Sequence, residues 1–363
     1  MKKRNSLIAL ALVLAFGLVG CGNKATNNAS NASADNGQKA ETTSALNVGF
    51  VTDEGGINDQ SFNQGVWEGL TKAKKDFGVN TTYVESKDSN AYKPNLETLL
   101  DNGSNVIVGA GFKMGDAIIE EAKANPDVKY AIVDVDPQGA SDNLMGIMFK
   151  AEEPSFLVGY IAGLTTKTNK VGFVGGQEGN IIWGFEYGYK AGVDYAAKER
   201  GTKIDVNSQY IGGFTDVQKA KAIATQMYQQ GADVVFHAAG GGGDGVIEAA
   251  KEQGKWAIGV DRDQYEMAPD NVLTSAMKNA NVAVYNLVKD LNDGKEFKGG
   301  QTVYLGLKDE GAVGIAPTSD KNVKKEVLDK IPAVTDKIVK GEIKVPNNKE
   351  TYAEYQKTLN EQK

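Results

Sequence analysis

Three aspartates stand within two residues of the ends of apolar stretches that have the character of buried strands. Asp53, Asp134 and Asp261 follow the stretches 46–51, 130–133 and 256–260. Carboxylates accept hydrogen bonds from hydroxyl and N–H groups, and ligands bind where the carboxyl ends of parallel strands meet. These side chains therefore indicate a site for a ligand that is rich in hydroxyl and N–H donors.

The turn after the first of these strands carries the densest group of polar side chains. It contains Asp53, Asn58, Asp59, Ser61, Phe62 and Asn63. A solvated loop in which Ser61 caps the next helix is the simpler interpretation. The stretch recurs, however, because Val-Gly-Phe-Val begins at Val48 and again at Val171, an offset of 171 − 48 = 123 residues. An offset of that length is typical of a duplicated domain, and clefts between domains are favoured ligand sites.

A second repeated pattern and several aromatic residues accompany these turns. Phe-x-x-Gly-x-x-x-Gly begins at Phe62 and again at Phe185, and Trp183 and Phe214 stand on the same predicted loops. Aromatic rings provide stacking surfaces for planar or ring-shaped ligands. Arginine, which phosphate and carboxylate ligands favour, occurs only at positions 4, 200 and 262. A sugar or a nucleoside therefore fits this composition better than a nucleotide or an acid.

Strand-like and helix-like stretches alternate along the body of the chain. Strands are predicted at 79–84, 106–108, 130–133, 170–174, 206–211, 232–237 and 256–260. Helices are predicted at 93–100, 116–123 and 156–164. Three further helices are predicted by one end only: one ends at 198, and two begin at 216 and 245. This alternation predicts the α/β class, with parallel sheets covered by helices. We predict two Rossmann-like lobes, 46–150 with a returning segment at about 273–305, and 151–272 with about 306–340. The chain is expected to cross between them near Glu152 and near Asn271, and 341–363 is predicted as a C-terminal tail.

The N-terminus has the features of an export signal. Basic residues at positions 2–4 precede an apolar stretch at 7–19, which is shorter than the roughly 20 residues of a membrane-spanning helix. The ending Leu-Val-Gly-Cys21 predicts a lipoprotein signal peptide at 1–20, with lipid on the Cys21 thiol. An ordinary secretory signal with an incidental cysteine is the alternative. Residues 21–45 are poor in bulky apolar side chains, which predicts a flexible tether.

Catalytic, metal and nucleic-acid sites find little support. The chain has one cysteine and one histidine, and His237 lies in an apolar strand. A Cys/His or Ser/His/Asp hydrolase site would therefore lack a suitable general base. No spacing matches a zinc or calcium site, and no cofactor is predicted. The formal net charge of −7 argues against a nucleic-acid polymer as partner.

A dinucleotide site is the strongest enzyme hypothesis. Gly240-Gly-Gly-Gly-Asp-Gly245 matches G-x-G-x-x-G after a predicted strand. Asp244 would, however, place a negative charge beside the pyrophosphate. These glycines are better explained as positions where the backbone approaches a small ligand.

Several spaced motifs together resemble one family. They are Asp53-x-Gly-Gly-x-x-Asp-x-Ser-Phe-Asn63, Phe149-Lys-x-Glu-Glu-x-Ser-Phe-Leu-x-Gly159, Val171-Gly-Phe-Val-Gly-Gly176, Phe185-x-x-Gly-Tyr-Lys-Ala-Gly192, His237-Ala-Ala-Gly240 and Ile258-Gly-Val-Asp-x-Asp-Gln264. The body of the chain resembles the basic membrane protein family of lipoproteins. It is most similar to the purine nucleoside receptor branch, the substrate-binding lipoproteins of nucleoside ABC importers.

The resemblance implies a type I periplasmic-binding-protein architecture that closes on a nucleoside, and it implies a purine as the base. Asp53 and Asp261 would hold ribose hydroxyls with help from Lys278, and Asp134, or Asp136 as its alternative, would contact the base. The remaining ligand residues would be Phe62 and Phe214 as stacking rings, with Trp183 as alternative to Phe214, and Ser61, Asn63 and Gly240. It also implies a monomer, anchored by lipid outside the cell membrane, that serves permease subunits. A sugar-binding lipoprotein of the same fold and an antigenic or adhesive surface protein are the alternatives.

Overall fold

The computed structural model describes residues 46–361. The strands are β1 (Asn47–Val51), β2 (Asn80–Val84), β3 (Val106–Ala110), β4 (Lys129–Val133), β5 (Leu144–Phe149), β6 (Lys170–Gly175), β7 (Asp205–Tyr210), β8 (Val234–Ala238), β9 (Trp256–Asp261), β10 (Val272–Lys278), β11 (Thr302–Leu305) and β12 (Val313–Ile315). The helices are α1 (Phe62–Phe77), α2 (Tyr92–Asp101), α3 (Gly115–Ala124), α4 (Glu152–Thr165), α5 (Asn180–Arg200), α6 (Val217–Gln229), α7 (Asp244–Gln253), α8 (Ala280–Asn292), α9 (Ser319–Asn322), α10 (Lys325–Leu328), α11 (Ile331–Val339) and α12 (Lys349–Glu361). The predicted signal peptide, the tether and Cys21 lie outside these residues.

The described strands form two six-stranded sheets with the same internal order. The first sheet runs β11-β5-β4-β3-β1-β2 and the second β12-β10-β9-β8-β6-β7. Every pairing is parallel except that of β12 with β10. The buried strand residues, such as Phe50 and Phe173, belong to the apolar clusters between sheets and helices. The predicted α/β class with two parallel sheets is therefore confirmed. We call each sheet with its helices a lobe.

Three passages of the chain join the two lobes. The first leads from β5 to α4, the second from β10 to α8, and the third from β11 to β12. The Lys150 N–H donates to the Leu305 carbonyl at 2.8 Å, and the Asn279 N–H donates to the Ala312 carbonyl at 2.9 Å. Neighbouring passages are thus tied to each other by backbone hydrogen bonds.

The second passage lies later than the crossing near Asn271 that the sequence predicts. The strand β10 pairs with β9 and belongs to the second sheet, whereas α8 packs on α1 in the first lobe. The crossing therefore follows Lys278. Because β10 is buried on both faces, its apolar side chains show no alternation that would have separated it from the next segment.

The segment 341–363, predicted as a tail, contains the ordered helix α12. This helix packs against α5 in the second lobe. The Tyr352 hydroxyl donates to Asp194 Oδ2 at 2.7 Å, and the Tyr355 hydroxyl donates to the Ala191 carbonyl at 3.1 Å. The helix is therefore part of the second lobe.

The second glycine of each repeated Phe-x-x-Gly-x-x-x-Gly pattern, Gly69 or Gly192, marks a place where two helices approach closely. A Cβ atom on Gly69 would lie 2.3 Å from the Asn281 carbonyl oxygen, at the contact of α1 with α8. One on Gly192 would lie 2.0 Å from the Phe156 carbonyl oxygen, at the contact of α5 with α4. Glycine is required at both positions, because only its hydrogen fits beneath the neighbouring backbone.

Replacing Gly192 by alanine is expected to destabilise the protein by about 1–3 kcal/mol, at the upper end of that range because the neighbour is rigid backbone. The matched control is Gly65→Ala, since a Cβ at that position of α1 meets nothing within 4 Å. The control should be neutral or stabilising by up to about 1 kcal/mol, because alanine favours a helix over glycine. Chemical denaturation of both variants measures the difference. Equal stabilities would contradict the close-packing explanation.

Candidate functional site

A cavity with about 540 Å³ of empty space, part of it open to solvent, lies where the carboxyl ends of the two sheets face each other. Eight of the nine predicted ligand residues line it, namely Asp53, Phe62, Asn63, Asp134, Phe214, Gly240, Asp261 and Lys278. The ninth, Ser61, lies behind this lining and donates its hydroxyl hydrogen bond to Asp261 Oδ2.

The two residues held as alternatives do not line the cavity. Trp183 is absent from its wall, whereas Phe214 is present. Asp136 is exposed, and its carboxylate accepts hydrogen bonds from the Thr302 and Tyr304 hydroxyls, each at 2.5 Å. Asp134, rather than Asp136, therefore faces the cavity.

Several lining residues were not among the predicted ligand residues. They are Asp59, Phe112, Ile181, Ile182 and Phe185, together with glycines and small residues of the same loops. Asp59 and Phe185 stand in the two repeated stretches, so the repeat itself was the signal for them. Phe112 follows β3 within Gly-Ala-Gly-Phe, and its position at a strand end was the signal that could have identified it.

The turn between β1 and α1 is organised by the Asp59 carboxylate. It accepts hydrogen bonds from the backbone N–H groups of Ser61 and Asn63, both at 2.9 Å, and of Gln64 at 3.0 Å. The carboxylate thus satisfies the first N–H groups of α1, as a helix cap does. Interpreting Ser61 as the side-chain cap is wrong, since its side chain makes no capping bond. Its hydroxyl reaches Asp261 in the other lobe instead.

Asp53 is held by the same turn. Asp53 Oδ1 accepts hydrogen bonds from the Asn63 side-chain amide at 2.7 Å and from the Gly55 N–H at 2.9 Å. Burial raises the pKa of Asp53 to about 6, against the opposing effect of these two donors. Asn63 therefore orients a carboxyl group that is mostly charged at neutral pH and takes up a proton as the pH falls through about 6.

Asp134 and Asp261 occupy matching positions in the two lobes. Asp134 follows β4 and Asp261 ends β9, the fourth strand of each sheet along the chain. Their φ angles are 69° and 64°, in the left-handed region that side chains other than those of Asn, Asp and Gly rarely adopt. Strained backbone of this kind is found preferentially at functional sites. The strain supports the interpretation that both carboxylates are placed for a ligand.

Charges of opposite sign meet at this end of the cavity. The Lys278 ammonium donates to Asp134 Oδ2, and its Nζ lies 4.4 Å from the centre of the Phe62 ring. Burial raises the pKa of Asp261 to about 6, while Lys278 and the Ser61 hydroxyl act in the opposite direction. One cation therefore serves a cavity that contains several carboxyl groups, which leaves acceptors available for a ligand with donor groups.

His237 is a buried structural residue. Its Nε2 lies 3.0 Å from Gln264 Oε1, which also accepts a hydrogen bond from the Val260 N–H at 2.9 Å. Because Oε1 is an acceptor, Nε2 must carry the hydrogen in this arrangement. Burial lowers the pKa of His237 to about 4, so the ring is neutral at physiological pH. A Cβ on Gly243 would lie 2.0 Å from the imidazole, which explains a glycine in the run that resembles a dinucleotide motif.

Comparison with known proteins identifies the family. A family model described as "ABC transporter substrate-binding protein PnrA-like" matches residues 46–349.

The chain belongs to this family. It is 42% identical to the "CD4+ T-cell-stimulating antigen" of Listeria innocua, over 95% of this chain and 99% of that protein. It is also 42% identical to "Basic membrane protein A" of Borreliella burgdorferi, over 84% of this chain and 89% of that protein. A solved structure of an ABC transporter solute-binding protein from Aeropyrum pernix K1 superimposes with a TM-score of 0.78 at 28% identity, covering 87% and 97% of the two chains.

Membership in the PnrA-like family establishes the general role. The family consists of extracytoplasmic substrate-binding proteins of ABC transporters, so a solute and permease subunits are the implied partners. Between residues 46 and 361 there is no helix long and apolar enough to cross a membrane. The same part of the chain contains no group of three or more His, Cys, Asp or Glu side chains suited to a metal ion.

Proposed function

We propose that this PnrA-like protein binds a nucleoside in the cavity and delivers it to an ABC permease. The observation that carries the proposal is the pairing of two kinds of wall in one cavity. Carboxyl groups and a lysine provide hydrogen-bonding groups, and four phenyl rings, Phe62, Phe112, Phe185 and Phe214, provide stacking surface. A nucleoside joins a hydroxyl-rich ribose to a flat base, so it matches both.

The acidic groups suit the ribose. Asp261 is held by Ser61 and Asp53 by Asn63, so each carboxyl group has a fixed orientation and a remaining acceptor oxygen. Hydrogen bonds from hydroxyl groups to a carboxylate are charge-assisted, which makes them shorter and stronger than neutral ones. Asp134 and Lys278 come from different lobes and supply further acceptor and donor groups.

The aromatic groups suit the base. The Phe214 ring of the second lobe meets the Phe112 ring of the first lobe edge to face, with centroids 6.1 Å apart. Ile181 and Ile182 extend the apolar surface beside them. Stacking of a base on an aromatic side chain contributes about 1–3 kcal/mol in nucleic-acid complexes. A simple sugar would leave most of this surface without a partner.

A nucleotide fits less well than a nucleoside. A phosphate is recognised best by arginine, and both arginines of the described residues are engaged elsewhere. Arg262 forms an ion pair with Glu68 at 3.1 Å, and Arg200 donates to the Gly163 carbonyl at 2.6 Å. The carboxyl groups of the cavity would repel a phosphate.

Calorimetry with adenosine, guanosine, uridine, free bases and hexoses tests the proposal. Nucleosides should bind more tightly than the corresponding free bases, because a free base leaves the ribose-facing carboxylates without donors. Mass spectrometry of the small molecules released on denaturing the purified protein provides an independent test. Preference for a hexose over every nucleoside would overturn the proposal in favour of a sugar-binding protein of the same fold.

Binding should weaken as the pH falls below about 6. Burial raises the pKa values of Asp53 and Asp261 to about 6, so both carboxyl groups take up protons below that pH and lose their charge-assisted bonds to the ligand. The expected effect between pH 7 and pH 5 is an affinity loss of about tenfold or more, since each pH unit below the pKa of a required carboxylate corresponds to about 1.4 kcal/mol. Calorimetry across this range measures it. An affinity independent of pH would contradict the role of these groups.

Protonation of Asp53 and Asp261 does not unfold the protein, so unfolding through these two groups cannot account for a loss of affinity at low pH. Their folded-state pKa values exceed the ordinary 3.8, so they bind protons more readily in the folded state. Their contribution to the free energy of unfolding therefore increases as the pH falls from about 6 towards 4. His237 acts in the opposite direction, because its lowered pKa favours the unfolded state between pH 6.5 and about 4. Thermal denaturation at each pH measures the net effect of these three groups on stability and so shows whether the protein stays folded during the binding measurements.

Lipid attachment at Cys21 remains a sequence-based prediction within this proposal. Cys21→Ala should release the protein from the membrane fraction without changing its ligand affinity, since the cavity lies entirely within the described body. Fractionation of cells that express both forms measures this. A variant that stays fully membrane-bound would contradict attachment through Cys21.

A further inference from the structure

Gln264 is one of the buried residues that link the two lobes beside the cavity. It lies three residues beyond Asp261 and is 2% exposed. Its Oε1 accepts hydrogen bonds from the Val260 N–H and from His237 Nε2–H, both groups of its own lobe. This arrangement fixes the orientation of the carboxamide, so its NH₂ group points away from His237. Gln264 Nε2 then donates to the Gln60 carbonyl of the first lobe at 3.0 Å.

The acceptor of this bond stands in the turn that builds the ligand site. Gln60 lies between Asp59, which caps α1, and Ser61, which bonds to Asp261. Its φ of 53° is in the left-handed region, so the backbone of the turn is strained at Gln60. Two consecutive residues of the turn thus contact the second lobe: Gln60 accepts a hydrogen bond at its carbonyl, and Ser61 donates one from its hydroxyl.

We propose that Gln264 is a positioning residue for ligand binding, which holds the Gln60 carbonyl and so keeps Ser61 and Asn63 in register with Asp261 in the closed cleft. His237 serves this arrangement by orienting the carboxamide. The hydrogen bond from Gln264 to Gln60 joins the two lobes and is broken when they separate. It therefore stabilises the closed form and not the open form. The proposal rests on the cavity being the ligand site and is independent of which ligand it takes.

The expected shift in the ratio of closed to open protein follows from the loss of one buried hydrogen bond between neutral groups. Its net contribution corresponds to about a two- to tenfold shift in the ratio of closed to open protein. The same factor should appear in the rate at which the ligand dissociates, because the cleft must open for release. Association should change less.

Gln264→Glu isolates the donor that crosses between the lobes. At pH 8 the carboxylate still accepts from Val260 and His237, but it repels the Gln60 carbonyl, so the shift should reach about tenfold or more. Gln264→Met, uncharged and of similar length, is a second variant in case the charge impairs folding. The matched control is Gln253→Glu, the same change at an exposed glutamine at the end of α7, away from the residues that line the cavity. It should leave the closed fraction and the release rate unchanged.

Inter-lobe distances measured by spin labels provide the readout. Cys21 is the only cysteine, so in the Cys21→Ala chain labels attach only to cysteines introduced at the exposed positions Asn90 and Gln218. These follow β2 and β7, the strands at the edges of the two sheets. Distances are recorded without ligand and with guanosine, and guanosine release is followed by stopped flow.

The expected result is a smaller closed fraction in both Gln264 variants and faster guanosine release, with Gln253→Glu resembling the wild type. Wild-type distances and release rates in both variants would overturn the proposal, even if the melting temperature fell, since a purely structural residue changes only the latter. If no nucleoside binds to the wild type, the proposed function fails, and the closed fraction of the unliganded protein still tests Gln264. If nucleosides bind and the closed fraction is unchanged, only the role of Gln264 fails.

Discussion

Lys278→Met is expected to hold the cleft open and to weaken nucleoside binding by about 100- to 1,000-fold. The Lys278 and Asp134 side chains are 3% and 6% exposed, and they pair across the two lobes. Removing one partner of a buried ion pair costs about 3–5 kcal/mol, because the remaining charge stays uncompensated. Here the protein can rehydrate Asp134 by opening. The cost should therefore appear in closure and affinity more than in unfolding.

The double variant Lys278→Met/Asp134→Asn is the control for this explanation. It removes the uncompensated charge, so the closed fraction of the unliganded protein should recover. Ligand affinity should recover only in part, because Asp134 also faces the cavity. Inter-lobe distances and calorimetry on the single and double variants give both quantities. A Lys278→Met protein that binds within tenfold of the wild type would contradict the role of the ion pair.

Asp261→Asn is expected to weaken nucleoside binding by about one to two orders of magnitude. Hydrogen bonds to a charged group contribute about 1.5–3 kcal/mol each, and asparagine keeps the shape of the side chain while removing its charge. Asparagine also tolerates the left-handed backbone at this position, whereas alanine would add strain to the measurement. Asp136→Ala is the matched control, since that aspartate lies outside the cavity.

Deoxynucleosides sharpen this test. If Asp261 accepts a bond from a ribose hydroxyl, the nucleoside that lacks this hydroxyl should bind the wild type more weakly. The same nucleoside should lose less in the Asp261→Asn protein, because the two changes remove one interaction. Calorimetry with 2′-deoxy and 3′-deoxy guanosine on both proteins completes the cycle. Fully additive losses for both compounds would show that Asp261 contacts another part of the ligand.

The sequence was most informative where chemistry coincided with strand ends. Asp53, Asp134 and Asp261 each follow an apolar run, and parallel sheets bring such ends together whatever the details of packing. That is why these three predicted residues line one cavity. The choice of Asp134 over Asp136 required the three-dimensional structure, because residues two apart share one face of a strand. Only the end of β4 at Val133, with the left-handed turn at Asp134, separates the two side chains.

Contacts between distant segments could not be predicted in this way. Ser61 looked like a helix cap because its type and position suit one, yet Asp59 occupies that role and Ser61 bonds to Asp261, 200 residues away. Phe112 stands at a strand end that could have marked it as a cavity residue, but its contact with the Phe214 ring of the other lobe has no local signal. Both outcomes depend on how the lobes meet, which local patterns do not encode.

The position of the second passage sets an order of events in ligand capture. Lys278 is the last residue of β10, immediately before that passage, whereas Phe214 follows β7, four strands away in the same sheet, at about 19 Å. Rotation about the joined passages displaces each atom in proportion to its distance from them. The groups near Lys278 therefore travel less during closure than Phe214, which reaches its final position last. Under the proposed function, we expect a nucleoside to be held first by the groups around Lys278 and covered last by the Phe214 ring, so two nucleosides that differ only where Phe214 contacts them should compete for entry and be distinguished at the final step.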